Sequence, residues 1–568
     1  MPHVVTQSCC SDASCVFACP VNCIHPTPDE PDFATAEMLY IDPETCVDCG
    51  ACVTACPVDA IKPQGKLNPS ELPFIELNAD FYKTRQNEVP ILAQVVNVTA
   101  ASTDQGSLRV AVVGSGPAAM YAADEILKQP GALVNVFDRL PVPYGLARSG
   151  VAPDHQRTKQ VTELFDKISR EDGFEFFLNV EVGKHISHEE LLAYHHAVIY
   201  AVGASSDRRL DVPGADLPGV ASATEFVGWY NGHPDHVHRE FDLSGPRVVI
   251  VGNGNVAFDV ARILASDPER LAGTDITRDA LATLRKSCVE EIVVIGRRGP
   301  AQSAFTMPEL TGLLAHEDFD VVVDRESAML DSAAAIREGI VSSTLRHKLS
   351  ALAALPDAST PASGRRRVVL RYMLSPTEVV GEEKVTGVEF APGTSTDDGA
   401  SVDYVQDNAV RIDTGLLLTS IGYRGVPVAD LPYDPASGIV PNDAGRVGSA
   451  DEPVPGTYVT GWAKRGPSGF IGTNKSCAHE TTENLVADLN AGKLRQPRRA
   501  QSDLVELVRS RRPEYVDRAG WSAVDRAELA RGADWNRIRD KIVDAAEAAR
   551  IARSAERPRR RLSLRRNR

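Results

Sequence analysis

Cys46, Cys49, Cys52 and Cys56 follow one another at gaps of two, two and three residues, and Pro57 follows the last. Three thiolates at two-residue gaps wrap the corners of an iron–sulfur cubane while nearby backbone amides face its sulfurs. The fourth, ahead of proline, turns toward another cluster. A zinc site needs only paired CxxC units and no trailing Cys-Pro. An earlier run repeats the spacing imperfectly as Cys9-x2-Asp12-x2-Cys15-x3-Cys19-Pro20. Asp12 stands where the second thiolate belongs, and a carboxylate is a harder, weaker iron ligand. The expected pairing joins Cys9, Cys15 and the remote Cys56 at one cluster, with one corner held by Asp12 or left empty. Cys46, Cys49, Cys52 and the remote Cys19 hold the other. One cluster is then [4Fe–4S], and the second is a labile [4Fe–4S] or a [3Fe–4S]. Cys10 is the alternative to Cys9, although the repeat spacing favours Cys9. Cys23, outside both runs, reads as a small buried hydrophobe.

Two further constellations suit nucleotides. The apolar β-branched run Arg109–Val113 leads into Gly114-Ser115-Gly116-Pro117-Ala118-Ala119 and then a helical pattern. Glycines let the backbone approach a pyrophosphate, and a helix N-terminus offers oriented N–H groups to its charge. A second strand, residues 133–137, ends at Asp138, about 22 residues past Gly116, where a ribose hydroxyl is normally held. The arrangement recurs at residues 247–251 with Gly252-Asn253-Gly254-Asn255-Val256-Ala257, but the following strand, 291–295, ends in Gly296-Arg297-Arg298. Guanidinium groups bind a 2′-phosphate that a carboxylate would repel, so this second site should prefer NADP(H). Asp first and Arg second predict FAD followed by NADP. Flavin is the needed converter, because nicotinamide moves two electrons as hydride while clusters change by one.

The elements around these groups must form several bodies, since 568 residues exceed one core. A hydrophobic content of 43% and a mean hydropathy of −0.18 describe a globular chain. No apolar run approaches the ~18 residues of a membrane span. The first residues have neither a basic nor an apolar export segment. Nine of the eleven cysteines crowd between Cys9 and Cys56, a pattern of metal ligation in a reducing, cytoplasmic setting. The net charge of −16 argues against nucleic acid. Residues 1–61 contain nine acidic side chains and no Lys or Arg, whereas eight Arg lie between Arg553 and Arg568. That asymmetry signals modular construction.

Residues 1–62, through Pro20-Val21-Asn22-Cys23-Ile24 and Cys56-Pro57-Val58-Asp59-Ala60-Ile61, resemble the two-cluster, seven-iron-type bacterial ferredoxins, and residues 74–78 look like their C-terminal extension. Residues 108–500 resemble the adrenodoxin-reductase type of ferredoxin–NADP reductase. The carrying stretches are residues 140–155 (LPVPYGLARSGVAPDH), 223–232 (ATEFVGWYNG), 296–306 and 461–474 (GWAKRGPSGFIGTN). The whole chain is thus similar to a ferredoxin/ferredoxin–NADP reductase fusion. The resemblance implies FAD contacts from Gly114, Gly116, Pro117, Ala118, Asp138, Leu146 and Val182. It implies flavin-ring contacts from Trp462, Gly469, Phe470 and Ile471. Gly252, Asn253, Gly254, Asn255, Val256, Arg297, Arg298 and Glu309 match the NADP site, with Arg208 beside them. His155 and Glu225 lie in motifs that face the flavin and are candidates for proton handling, each with a structural alternative.

The expected fold is an α+β ferredoxin-like two-cluster head followed by an α/β flavoprotein with two dinucleotide-binding domains. The expected divisions are 1–66 for the head, 67–107 for its extension and linker, and 108–243 and 406–500 for the FAD domain. Residues 244–405 should form the NADP domain and 501–568 a helical extension ending in an arginine-rich solvated tail. Residues 266–287 read as an extra helical insertion. The implied activity is ferredoxin–NADP(+) oxidoreduction, with NADPH and an external ferredoxin or other one-electron acceptor as partners and neither membrane nor nucleic acid. The competing reading is a flavoprotein electron-input subunit, similar to the small subunit of glutamate synthase, whose cysteine regions differ from this one. Retention of both glycine loops and Arg297-Arg298 counts against a non-catalytic carrier. The absence of a CxxC partner for Cys288 or Cys477 counts against a disulfide reductase.

Overall fold

A computed structural model describes residues 2–83, 85, 99–102, 106–327, 342–395, 402–405 and 408–555. Part of the expected connector (103–105) and the arginine-rich end (556–568) lie outside the described residues.

The head repeats its sequence in its backbone. Each cysteine run folds into a five-residue helix, Ser14–Ala18 or Ala51–Ala55, entered from a left-handed residue: Ala13 at φ 60° and Gly50 at φ 73°. Each helix ends at the cysteine before proline, Cys19 (φ −76°, ψ 116°) and Cys56 (φ −73°, ψ 117°). That extended residue turns its thiol out of its own run, as proline next in sequence demands. Two antiparallel ribbons close the head: His3–Val5 with Ile61–Pro63, and Ile24–His25 with Tyr40–Ile41. Helix Pro73–Lys83 completes it. Asn78 accepts the N–H groups of Val5 (3.2 Å) and Ile41 (2.9 Å), and Phe74 and Leu77 are buried. Helix Pro73–Lys83 lies within the expected extension of the head, and its apolar face supplies part of the head's core.

Two sheets follow, the first parallel except for its antiparallel edge strands Asn442–Asp443 and Arg446–Gly448. The first has seven strands in the order Asn442–Asp443, Arg446–Gly448, Pro453–Val459, Ala197–Tyr200, Arg109–Val113, Leu133–Asp138, Phe174–Leu178. The second has six parallel strands in the order Val220–Ser222, Leu416–Thr419, Arg247–Val251, Glu291–Ile295, Arg366–Arg371, Phe319–Val323. The central strands Arg109–Val113 and Arg247–Val251 are almost wholly buried, as sheets covered on both faces require. The expected divisions at 243/244 and 405/406 both move outward, because Val220–Ser222 and Leu416–Thr419 pair with each other in the second sheet. The chain crosses between the sheets on a small antiparallel ribbon, Ser206–Asp207 with Tyr423–Arg424, which no glycine motif announces.

The insertion becomes two short helices, Pro268–Ala272 and Arg278–Leu284. The described part of the C-terminal extension is integral to the FAD-side domain. Val516 pairs with Leu178 at the edge of the first sheet, and Trp521 packs edge-on to Tyr144 at 5.8 Å. Glu528, fully buried, accepts from Arg148 and Arg539. Among the described residues no helix is long and apolar enough to cross a membrane.

Candidate electron-transfer site

The first glycine loop is shaped by its neighbours. At positive φ, Gly114 and Gly252 each face a strand carbonyl, Ala201 and Ser420 respectively, that a Cβ would strike. Ser115 donates through both N–H (2.9 Å) and Oγ (2.6 Å) to one oxygen of Asp138, and Leu140 N–H donates to the other (2.9 Å). Burial raises the Asp138 pKa against these donors. Pro117 opens the helix Pro117–Leu127, and Gly145 lies against Gly116. This packing sets Leu146 beside the loop, 37% exposed for an apolar residue. Gly461 abuts Ala118 and so brings Trp462 to the same place. Trp462 donates to the carbonyl of Ser468 (3.1 Å), and its ring lies 5.3 Å from Tyr423. Asn474 fixes the following turn by donating to the carbonyls of Phe470 (3.1 Å) and Ile471 (2.9 Å), with Gly469 exposed. Val182 sits further out, two residues past Val180, whose N–H bonds the Asp138 carbonyl.

At the second loop, Gly254 precedes helix Asn255–Ala265, Asn253 donates to Ser303 Oγ (3.2 Å), and Asn255 accepts the Thr306 N–H (2.8 Å). Val256 is half-buried, and Arg297 and Arg298 are exposed beyond the strand end. Tyr404 stands over them, its hydroxyl donating to the Arg297 carbonyl at 2.7 Å. The sequence reading missed Tyr404, which arrives from a distant hairpin strand. Arg208 is exposed and hydrogen-bonds through its N–H to Gly422 (2.9 Å), on the turn that begins with the Ser420 facing Gly252.

Glu309 and His155, expected in separate roles, are neighbours. His155 Nδ1 lies 3.7 Å from Asp259 and 4.0 Å from Glu309. Arg262, 1% exposed, reaches Asp154 through Nε (2.6 Å) and Nη2 (3.0 Å), Asp259 at 2.7 Å and Glu309 at 3.5 Å. Burial favours neutral carboxyls here and raises Glu309, but Arg262 and His155 outweigh burial at Asp154 and hold it well below the usual range. Arg262, Asp154 and Asp259 were not singled out from sequence. The available signal was a charged residue inside the apolar stripe Val260, Ile263, Leu264. Glu225 is elsewhere engaged. One carboxylate oxygen accepts the Ser222 N–H (2.9 Å) in a capping box, and the other pairs with Arg239. Its geometry is that of a helix cap, which agrees with the structural alternative expected for it.

The head thiols form two groups. Cys15 lies among Cys9, Cys56 and Asp12, whereas Cys52 lies among Cys46, Cys19 and Cys49. The second group, with Cys23, converges on one pocket that Val47 and Gly50 also line. Backbone N–H groups point at sulfur four residues earlier in both halves, Ala60 to Cys56 (3.2 Å) and Cys23 to Cys19 (3.4 Å). Cys23 is buried in the apolar core, as expected, with its sulfur 3.4 Å from that of Cys19. Asp12 accepts from Ser14 N–H (3.1 Å) and Oγ (2.6 Å), with Lys475 Nζ at 3.7 Å. Burial pushes the Cys9 thiol up to about 11 and Cys52 to about 12, so iron must displace protons on binding.

Comparison with known proteins agrees with both halves. Residues 39–62 match the 4Fe-4S binding domain family, and residues 108–293 match the pyridine nucleotide-disulphide oxidoreductase family. A probable ferredoxin/ferredoxin–NADP reductase of Mycobacterium tuberculosis is 55% identical over 98% of this chain and 96% of its own. The NADPH:adrenodoxin oxidoreductase of Arabidopsis thaliana is 37% identical over 78% of this chain and 95% of its own. The structure of Mycobacterium tuberculosis FprA in complex with NADPH superposes with a TM-score of 0.73, at 40% identity, over 78% of this chain and 99% of that one. With nearly its whole length matched, the chain belongs to the ferredoxin/ferredoxin–NADP reductase family.

Proposed function

We propose that the chain is a ferredoxin–NADP(+) oxidoreductase that carries electrons from NADPH, through FAD, to iron–sulfur clusters in its own head, and on to an external ferredoxin or other one-electron acceptor in the cytoplasm. FAD supplies the conversion of a hydride pair into single electrons. Gly114, Gly116, Pro117 and Ala118 would receive its pyrophosphate, Asp138 its ribose, and Leu146, Trp462, Gly469, Phe470 and Ile471 its ring. Asn253 to Val256 would hold the NADPH pyrophosphate, and Arg297 and Arg298 its 2′-phosphate. Buried Arg262 holds Asp154, Asp259 and Glu309 beside His155. Cys19, Cys46, Cys49 and Cys52 suit a [4Fe–4S] cluster. Cys9, Cys15 and Cys56 suit a second, [3Fe–4S] or [4Fe–4S] according to whether Asp12 joins them.

One observation carries this reading. Gly472, directly after the flavin-ring segment, donates its N–H at 2.7 Å to the carbonyl of Cys10 in the first cysteine run. Reductase and cluster loop therefore meet in one chain. Anaerobic NADPH titration followed by absorbance and EPR tests it. Flavin bleaching followed by cluster reduction is expected, and clusters that stay oxidised after the flavin bleaches would refute it.

A further inference from the structure

We infer that the two cluster sites act in a fixed order: the Cys9–Cys15–Cys56 set receives electrons from the flavin segment, and the Cys19–Cys46–Cys49–Cys52 set delivers them to an acceptor with a basic rim. The inference rests on the proposed function and adds direction and partner chemistry to it.

The receiving side is set by contact. Gly472 meets the loop Cys10–Asp12 backbone to backbone, so closely that a Cβ on it would collide with the Asp12 amide. Cys10 is buried, and Ile471, Cys9 and Cys56 pack against the same apolar cluster. Tyr121, on the helix opened by Pro117, is 1% exposed and lies close enough to feel the charges of Cys10 and Asp12. Lys475 clamps the same loop from the reductase side, with Nζ at 2.8 Å from Ser14 Oγ and 3.7 Å from Asp12. Cys19, Cys46 and Cys52 belong to the other apolar cluster, which Cys15 joins and Cys9 and Cys56 also touch but which contains no residue of the flavin segment; only the Cys9 set borders both clusters. Electron transfer falls steeply with distance, so the set touching the flavin segment fills first.

The delivering side is set by exposure. Cys49 is exposed, and Val47, between Cys46 and Cys49, is 58% exposed, unusual for an apolar residue on a charged module. Around it lies a module with nine acidic residues and no Lys or Arg through residue 61. Asp48, next to Val47, keeps its carboxylate 48% exposed beside His3, and an apolar contact on a module of net negative charge fits a partner with the converse surface, whose encounter such a field speeds at low salt. This favours a cationic acceptor over an acidic ferredoxin. Each NADPH gives up two electrons with its hydride and leaves one proton in solution, so one turnover can fill both sets with one electron each.

The test uses the full holoprotein. Freeze-quench EPR after NADPH addition, with flavin bleaching read in the same mixture, should show Cys46-set reduction at least tenfold slower in Cys15→Ser than in wild type. Gly472→Val, which pushes the loop away without replacing a thiolate ligand, should slow cluster reduction likewise after flavin bleaching. Wild-type speed at the Cys46 set in both variants would overturn the order. Failure of any wild-type cluster to be reduced would instead defeat the proposed function. For delivery the probe is cytochrome c, a basic haem protein. Asp48→Lys should lower its reduction several-fold at low salt and flatten its salt dependence, while internal cluster reduction keeps its rate. An unchanged salt dependence, or a Cys49→Ser variant reducing cytochrome c at wild-type rate, would overturn the delivering role.

Discussion

Arg262 grips Asp154 across the boundary between the two dinucleotide domains, with two bonds of 2.6 and 3.0 Å and the guanidinium wholly buried. Asp154 belongs to the FAD-side segment that ends at His155, whereas Arg262 lies on the helix following the second glycine loop. Arg262→Met would leave Asp154, Asp259 and Glu309 facing one another without a cation. Removing one partner of a buried ion group costs on the order of 3–5 kcal/mol. The thermal midpoint should fall clearly in Arg262→Met and partly recover in Arg262→Met/Asp154→Asn. A double variant no better than the single would mean that the unpaired carboxylate is not what destabilises it.

On the proposed function, Arg298 and Tyr404 would make two kinds of nucleotide contact. Arg298 is exposed beyond the strand end, where the proposed 2′-phosphate contact would fall, and the Tyr404 hydroxyl is tied to the Arg297 carbonyl. Arg298→Ala should weaken NADP+ binding roughly tenfold or more, since a charge-assisted bond contributes about 1.5–3 kcal/mol, and should barely affect NAD+. Tyr404→Ala should weaken both nucleotides together. Titration calorimetry with the two nucleotides distinguishes the outcomes, and equal losses for Arg298→Ala would remove its phosphate role.

Much of this site was legible because its chemistry is written in contiguous spacings. The cysteine runs, the glycine loops and the Arg297-Arg298 pair each fit within about a dozen residues, and the structure brings each run together locally. What stayed illegible is assembled across long separations. His155, Asp259 and Glu309 meet from three segments, and nothing local marks that meeting. The domain crossing was misplaced because its two-residue strands at 206–207 and 423–424 carry no periodic signal. The C-terminal extension reads as charged and helical, with no sign of what it covers, yet Trp521 and Val524 on one face are buried and Glu528 is sealed by Arg148 and Arg539. Charge on a helix reports its exposed face and says little of what the other face covers.

The helices that follow Pro117 and Gly472 are joined by His479 and Glu125, 3.0 Å apart. The hydrogen bond from Glu125 raises the His479 pKa above its usual value near 6.5, against burial. A raised histidine pKa means stability that is complete below about 6.5 and lost as pH rises through the folded value. Burial opposes ionisation of Glu125, but His479 and Lys128 outweigh it and hold the carboxyl low, so its contribution fades only in acid. His479→Gln should therefore destabilise by ~1 kcal/mol at pH 6 and much less at pH 8, since the imidazole is partly exposed. Denaturant midpoints at the two pH values check this, and an equal loss at both would dismiss the ion pair.

Iron removal should unfold the head before the reductase. The head is small, its ribbons are only two or three residues long, and Cys19, Cys23, Cys46, Cys49 and Cys52 converge on one pocket. Without metal, thiols raised by burial stay protonated and no ligand bonds tie their loops together. The dinucleotide sheets owe nothing to the metal. An anaerobic chelator should therefore split a single calorimetric transition into two, the earlier one belonging to the head. The head also shares a hydrophobic cluster with the NADP-side domain, through Phe74, Leu77 and Phe305, so the later transition should fall by a few degrees as that face is uncovered. Hydrogen exchange resolves the two. Amides of Val5 and Ile41, held by Asn78, should lose protection on chelation, while those of Val112 and Ile250 keep theirs. Loss of protection in all four together would show that the clusters support the whole chain rather than the head alone.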